Sequence, residues 1–135
     1  MEIGPSTTLH TGFEEAVRRT RAALAEQGFG VLTEIDMRAT LEAKLGEKME
    51  DYLILGACNP PLAHRAVGVD RRIGLLLPCN VVVRRDRDSD TAVLVEAMNP
   101  EVMVQVTEEK ALEPVAEEAT AKLRAALESL NSAEN

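Results

Sequence analysis

The sequence predicts an α+β fold in two layers, a mainly antiparallel sheet with helices packed on one face. Three observations predict it. Apolar runs of strand length recur through the middle of the chain, at Gly30 to Ile35, Tyr52 to Cys58, Ile73 to Arg85 and Thr91 to Ala97. Helical periodicity is strongest near the start and at the C-terminus. Turn residues, and no long linker or shift in composition, separate the runs. Strands grouped together and flanked by helices read as two packed layers.

Each element follows from its residues. Thr11-Gly12-Phe13-Glu14 fits a capping box, with Thr11 as the cap and Glu14 three residues on. Phe13, Ala16, Val17, Thr20, Ala23 and Leu24 then keep helical spacing, and Gly28 ends the helix. Gly30 to Ile35 is a strand. Asp36 caps a short helix carrying Met37, Leu41 and Leu45, which stops at Gly46. Tyr52 to Cys58 is a buried strand, and Asn59-Pro60-Pro61 ends it and opens a helix through about Val67. Ile73 to Arg85 is read as two strand segments, or as one strand bent at Pro78. A polar turn over Arg84 to Asp90 joins it to the strand Thr91 to Ala97 as a hairpin. Glu101 to Val106 fits neither pattern. Leu112, Val115, Ala116, Ala119, Leu123, Ala126, Leu127 and Leu130 mark a long amphipathic helix, with Pro114 near its start.

The 135 residues suit a single domain over 1–135, with a core over about 7–131 and a frayed tail over 132–135. The aromatics are Phe13, Phe29 and Tyr52, so the core is aliphatic and base-stacking platforms are missing. A net charge of −8 repels phosphate backbones and anionic lipid surfaces. Nucleic acid and membrane are therefore not expected partners. No secretory leader or membrane-length apolar run is apparent, so a cytoplasmic location with free thiols is expected. Gly74 to Val83 is too apolar for a strand with one wet face. Short helices or a second subunit must cover it, and a homodimer is the expected assembly.

Two segments echo one another. Leu53 to Pro60 and Val93 to Pro100 each end in Ala, a sulfur residue, Asn and Pro. The structural reading is a strand, an Asn cap and a Pro at the first helical position. The functional reading is a pair of helix N-termini favouring an anion, closed by Arg65, Arg71 or Arg72.

Cys58 and Cys79 are the only thiols, and each precedes an Asn, Asn59 and Asn80. Cys58 falls just before a helix N-terminus, where a thiolate is stabilised; an inert, buried thiol packed as a small hydrophobe is the alternative. Their spacing matches no compact zinc or redox motif. Neighbouring strands would nevertheless let them meet, and His64 lies near enough in sequence to complete a weak soft-metal candidate with Cys58 and Cys79. No standard nucleotide, metalloprotease or hydrolase motif is present. No cofactor is called for, and no residue is assigned a catalytic role.

Taken together, these segments resemble the prokaryotic family called domain of unknown function 302. The likeness is carried by Gly28-Phe29-Gly30-Val31-Leu32-Thr33-Glu34-Ile35-Asp36 with Leu41 to Gly46, by Leu55-Gly56-Ala57-Cys58-Asn59-Pro60, by Leu76-Leu77-Pro78-Cys79-Asn80-Val81-Val82-Val83, and by Met98-Asn99-Pro100, where the family often has Asp for Asn99. It runs from about Gly12 to Leu127. It implies a β-α-β(4)-α core, draws attention to Cys58, Asn59, Pro60, Pro78, Cys79 and Asn80, and implies no assigned activity. Three functional readings follow in order. The first is a small-molecule ligand-binding domain with its site near Cys58, Asn59, Cys79 and Asn80. The others are a thiol-dependent redox or sulfur-handling protein using Cys58 and Cys79, and a soft-metal-binding protein.

Overall fold

Strand alternation and helix caps are realised in a computed structural model that describes residues 3–134, and the side chains of residues 3–131. The elements are β1 (Ser6–Leu9), α1 (Phe13–Glu26), β2 (Gly30–Asp36), α2 (Met37–Leu45), β3 (Tyr52–Cys58), α3 (Pro60–Val69), β4 (Cys79–Arg85), β5 (Val93–Ala97), α4 (Val102–Thr107) and α5 (Glu113–Glu134). A 3-10 helix, Arg71–Leu76, connects α3 to β4. The strands form one antiparallel sheet in the order β1-β5-β4-β3-β2. Without α2, α3 and α4 the order is β-α-β(4)-α, as the resemblance implies.

The period of two decides which side of the sheet is dry. Leu53, Leu55, Val81, Val83, Val93 and Val95 all point to one face and are buried there. Leu24 of α1 with Leu123, Ala126 and Leu127 of α5 close over them to make the main core. A second core lies beside it, built from Leu62 and Ala66 of α3, Ile73, Met103, Leu112 and Val115. The opposite sheet face carries Ile54, Val82 and Leu94, half-buried, with an ion pair from Arg84 to Glu96 at 2.7 Å. Ile35 on the edge strand is exposed.

Several local expectations hold in detail. The Asp36 carboxylate accepts from the Ala39 N–H at 2.8 Å and opens α2, and Gly46 closes it in the left-handed conformation, at φ 69°. Asn59 caps α3 with Pro60 behind it.

Others are corrected. Gly12, not Thr11, occupies the cap of α1, and no side chain caps that helix. The neighbouring Glu15 is committed to Arg18 and Arg19, at 2.7 and 3.0 Å. β1 escaped the residue-by-residue reading because four residues rich in hydroxyls carry little apolar signal. Of Glu101 to Val106, Glu101 is the cap and Val102 onward belongs to α4. The first half of Ile73 to Arg85 is not a strand. Asp70 accepts from the Arg72 N–H at 2.9 Å and starts the 3-10 helix instead, and Ile73 turns into the second core. β4 therefore begins only at Cys79. From there to Arg84 its residues alternate between dry and wetter positions, as in an antiparallel strand with one wet face. The run Gly74 to Val83 no longer requires a cover along its length. Helix α5 extends to Glu134, and Asn135 lies outside the described residues.

Gly56 sits where β3 is crossed most closely. A Cβ there would strike Thr33 Oγ1 and lie 2.7 Å from Pro78 Cγ. Gly56→Ala is expected to lose roughly 1–3 kcal/mol of stability in urea denaturation, the usual cost of overpacking. Adding Thr33→Ala should recover part of the loss. A fully stable Gly56→Ala protein would contradict this packing.

Candidate functional site

Strands β3 and β4 bring the two Cys-Asn segments to the same end of the sheet. Ala57 pairs with Cys79, so Cys58 is one residue away from Cys79 across the ladder. Both thiols are free, Cys58 half-buried and Cys79 buried. Both line one cleft of about 170 Å³ at the seam between the two cores. Its walls are Phe29 and Leu32 from the region of β2, Leu62, Ala63 and Ala66 from α3, Leu77 and Pro78 before β4, Met103 of α4, and Val115 and Ala119 of α5. The exposed Leu32 and the half-buried Cys58 and Ala63 mark its mouth, while Cys79, Ala66 and Met103 lie deeper.

Asn59 is the one amide in the wall. Its Oδ1 accepts from the Leu62 N–H at 3.4 Å and caps α3. Its Nδ2 donates to the Gln27 carbonyl at 3.2 Å, at the end of α1. Gly28 follows in the left-handed region, at φ 83°, and a Cβ there would stand 3.1 Å from Asn59 Nδ2. Asn59 thus joins two chain reversals, which explains its burial without a ligand.

Three of the four residues singled out in the Cys-Asn segments line the cleft, namely Cys58, Asn59 and Cys79. Asn80 does not. By the period of two it faces away from Cys79, and it is exposed. The cleft-lining side chains of α3 and α5 escaped the sequence reading because their spacing, Leu62 with Ala66 and Val115 with Ala119, is that of any core-facing helix.

The anion reading finds no support in the cleft, whose wall holds no charged side chain. Arg65 pairs with Glu118 at 3.5 Å and Arg72 with Asp70 at 2.8 Å. Only the first echoed unit is a capped helix start, with Asn59 capping α3. Asn99 accepts from the Glu101 N–H at 3.0 Å in a turn, and α4 begins at Val102 with Glu101 at its cap and no capping side chain. β4 also separates β3 from β5. His64 is exposed on α3 and is not among the cleft-lining residues. Among the described residues no three His, Cys, Asp or Glu side chains come together as metal ligands. The set Cys58, His64 and Cys79 is therefore not assembled.

Desolvation pushes the Cys79 thiol up to about 11, and the neighbouring Cys58 adds to the rise. Cys79 is thus a neutral thiol at physiological pH and a poor nucleophile.

An α+β sheet of this order, with an apolar cleft at the ends of β3 and β4, defines the class of the molecule. The chain belongs to the family described as domain of unknown function DUF302, whose model matches residues 5–130. It is similar in structure to the uncharacterized conserved protein DUF302 from Bacillus stearothermophilus, with a TM-score of 0.86 and 26% identity over 95% of this chain and 98% of that one. No curated protein matches it. Among the described residues no helix is long and apolar enough to cross a membrane.

Two predictions follow from the geometry. Asn59→Ala removes a helix cap and a buried bond to Gln27, and is expected to cost roughly 1–3 kcal/mol by urea denaturation. Cys79 makes stability depend on alkaline pH. Its folded value lies above the ordinary thiol value of 9.0, so its contribution is complete below about pH 9. It is lost as pH rises toward 11, because the unfolded chain ionises first. Relative to Cys79→Ala, the wild type should lose roughly 1–2 kcal/mol between pH 7.5 and 10.5. A constant difference between the two proteins would refute the buried neutral thiol.

Proposed function

We propose that the chain is a small-molecule binding domain whose site is the cleft formed around Cys58, Asn59 and Cys79. One observation carries this reading: residues from β3, α3, β4 and α5, distant in sequence, enclose a common apolar space of about 170 Å³. Sites for small molecules are concave, mostly apolar and sparingly polar, and this wall has one amide, two thiols and the Met103 thioether against an otherwise hydrocarbon lining.

A thiol-dependent role is the second reading, favoured by the adjacency of Cys58 and Cys79 at the cleft. The raised value of Cys79 weighs against it as the attacking group, which leaves Cys58 at the mouth for that part. The soft-metal reading has two thiols and, among the described residues, no third ligand of the usual kind behind it.

The proposed setting is a single domain, homodimeric and in the cytoplasm of a prokaryote. The sheet face bearing Ile54, Val82 and Leu94 is the surface on which a second copy would sit. The free state of both thiols fits a reducing compartment.

Native mass spectrometry on protein purified without oxygen or added metal tests these points together. The expected spectrum is that of a dimer with a small organic mass bound, retained in the Cys58→Ser/Cys79→Ser protein. A mass excess lost in that double variant would transfer the site to a thiolate function. A monomer envelope would remove the dimer. Rapid, selective alkylation of Cys58 at neutral pH, with no bound mass, would favour the thiol reading over the binding one.

A further inference from the structure

The chemistry of the cleft narrows what it holds. With no charged residue in its wall, neither an anion nor a cation meets a counter-charge there, and burying an unpaired ion is strongly unfavourable. Asn59 has already used its oxygen on Leu62 and an N–H on Gln27. Among the described residues no buried side-chain polar atom lacks a partner. A ligand that depends on fixed hydrogen bonds finds no buried side-chain group held in wait for it among the described residues.

Size and wall composition narrow it further. The volume of about 170 Å³ far exceeds what one ion or one water fills. It is close to the roughly 150 Å³ of an apolar cavity that stays dry and takes up benzene. Cys58, Cys79 and Met103 bring three sulfur-bearing side chains to this small surface, and Phe29 brings a ring. Sulfur gains more from contact with an aromatic ring than with a saturated chain, and aromatic rings pack favourably edge to face.

We propose that the cleft receives a neutral, single-ring aromatic group, held by packing and sulfur–ring contacts without charge pairing. This inference rests on the binding role proposed above for the same cleft and adds the class of ligand. The ring enters past Leu32, Cys58 and Ala63 and lies against Met103 and Cys79. The Cys58 thiol is covered when the ring is in place.

The protein with benzene, cyclohexane and octanol as probes tests it. At about ten times its dissociation constant, benzene should raise the melting temperature by roughly 4 °C and slow alkylation of Cys58. The methyl resonance of Met103 should move upfield by the ring current. Cyclohexane should bind roughly three- to tenfold more weakly than benzene. Ala63→Leu, which narrows the mouth, should weaken both, and the Met103 shift in the wild type gives an answer that does not depend on how that variant folds. Equal binding of cyclohexane and benzene, or tighter binding of octanol than of benzene, would overturn the aromatic inference and leave the binding role standing. Failure of benzene, cyclohexane and octanol alike to protect Cys58 or shift the melting temperature would overturn both.

Discussion

At the C-terminal end of β3 the buried amide of Asn59 accepts from the first turn of α3 and donates to the Gln27 carbonyl at the C-cap of α1. The second bond needs the chain after α1 to reverse through Gly28 in a left-handed conformation. The reversal sets Phe29 into the core and starts β2 at the edge of the sheet. The positions of β2, α3 and the mouth of the cleft all depend on this joint. An Asp at the same place could still cap the helix, but could not donate to a carbonyl when ionised.

The molecule divides its apolar residues between two cores. One is the space between sheet and α1/α5, filled by alternating Leu and Val. The other lies under α3, the 3-10 helix and α4, with α5 supplying residues to both. Small side chains stand where the two meet, Ala63 and Ala66 on α3 and Ala119 on α5, and the cleft is the volume they leave. The same apolar surroundings hold Cys79 neutral at physiological pH.

The two echoed segments show how one local code meets two environments. Both end a strand in Ala, a sulfur residue, Asn and Pro, but Asn59 caps α3 directly while Asn99 closes a turn and α4 starts only at Val102. After β5, the chain preceding β1 runs alongside, with the Asn99 N–H donating to the Ile3 carbonyl at 2.7 Å and the Ala97 N–H to Pro5 at 2.9 Å. Gly4 is pressed against Ala97, leaving no room for a side chain. After β3, the neighbour is β2 with a bulge between Val31 and Thr33, and a cleft opens instead.

Interactions spanning a few residues were legible in the sequence. Asp36 and Gly46 bound α2, Asn59 and Pro60 start α3, and the alternation of β3 and β5 names their buried side. Such signals act through bonds to the next turn or through a period of two, so the order of residues alone determined them, together with the α+β class. Where two local signals competed, at Thr11 and at Ile73, the chain's partners elsewhere decided the outcome. Cys58, Asn59 and Cys79 were legible as candidates, yet their meeting in one cleft was not. It requires the register of β3 on β4, the bond from Asn59 to a carbonyl 32 residues away, and the packing of α3 near α5. Asn80 was separated from them by the alternation of a strand whose start could not be read locally. The tertiary structure alone decided the cleft because its walls come from segments distant in sequence, and no short-range preference encodes the space between them.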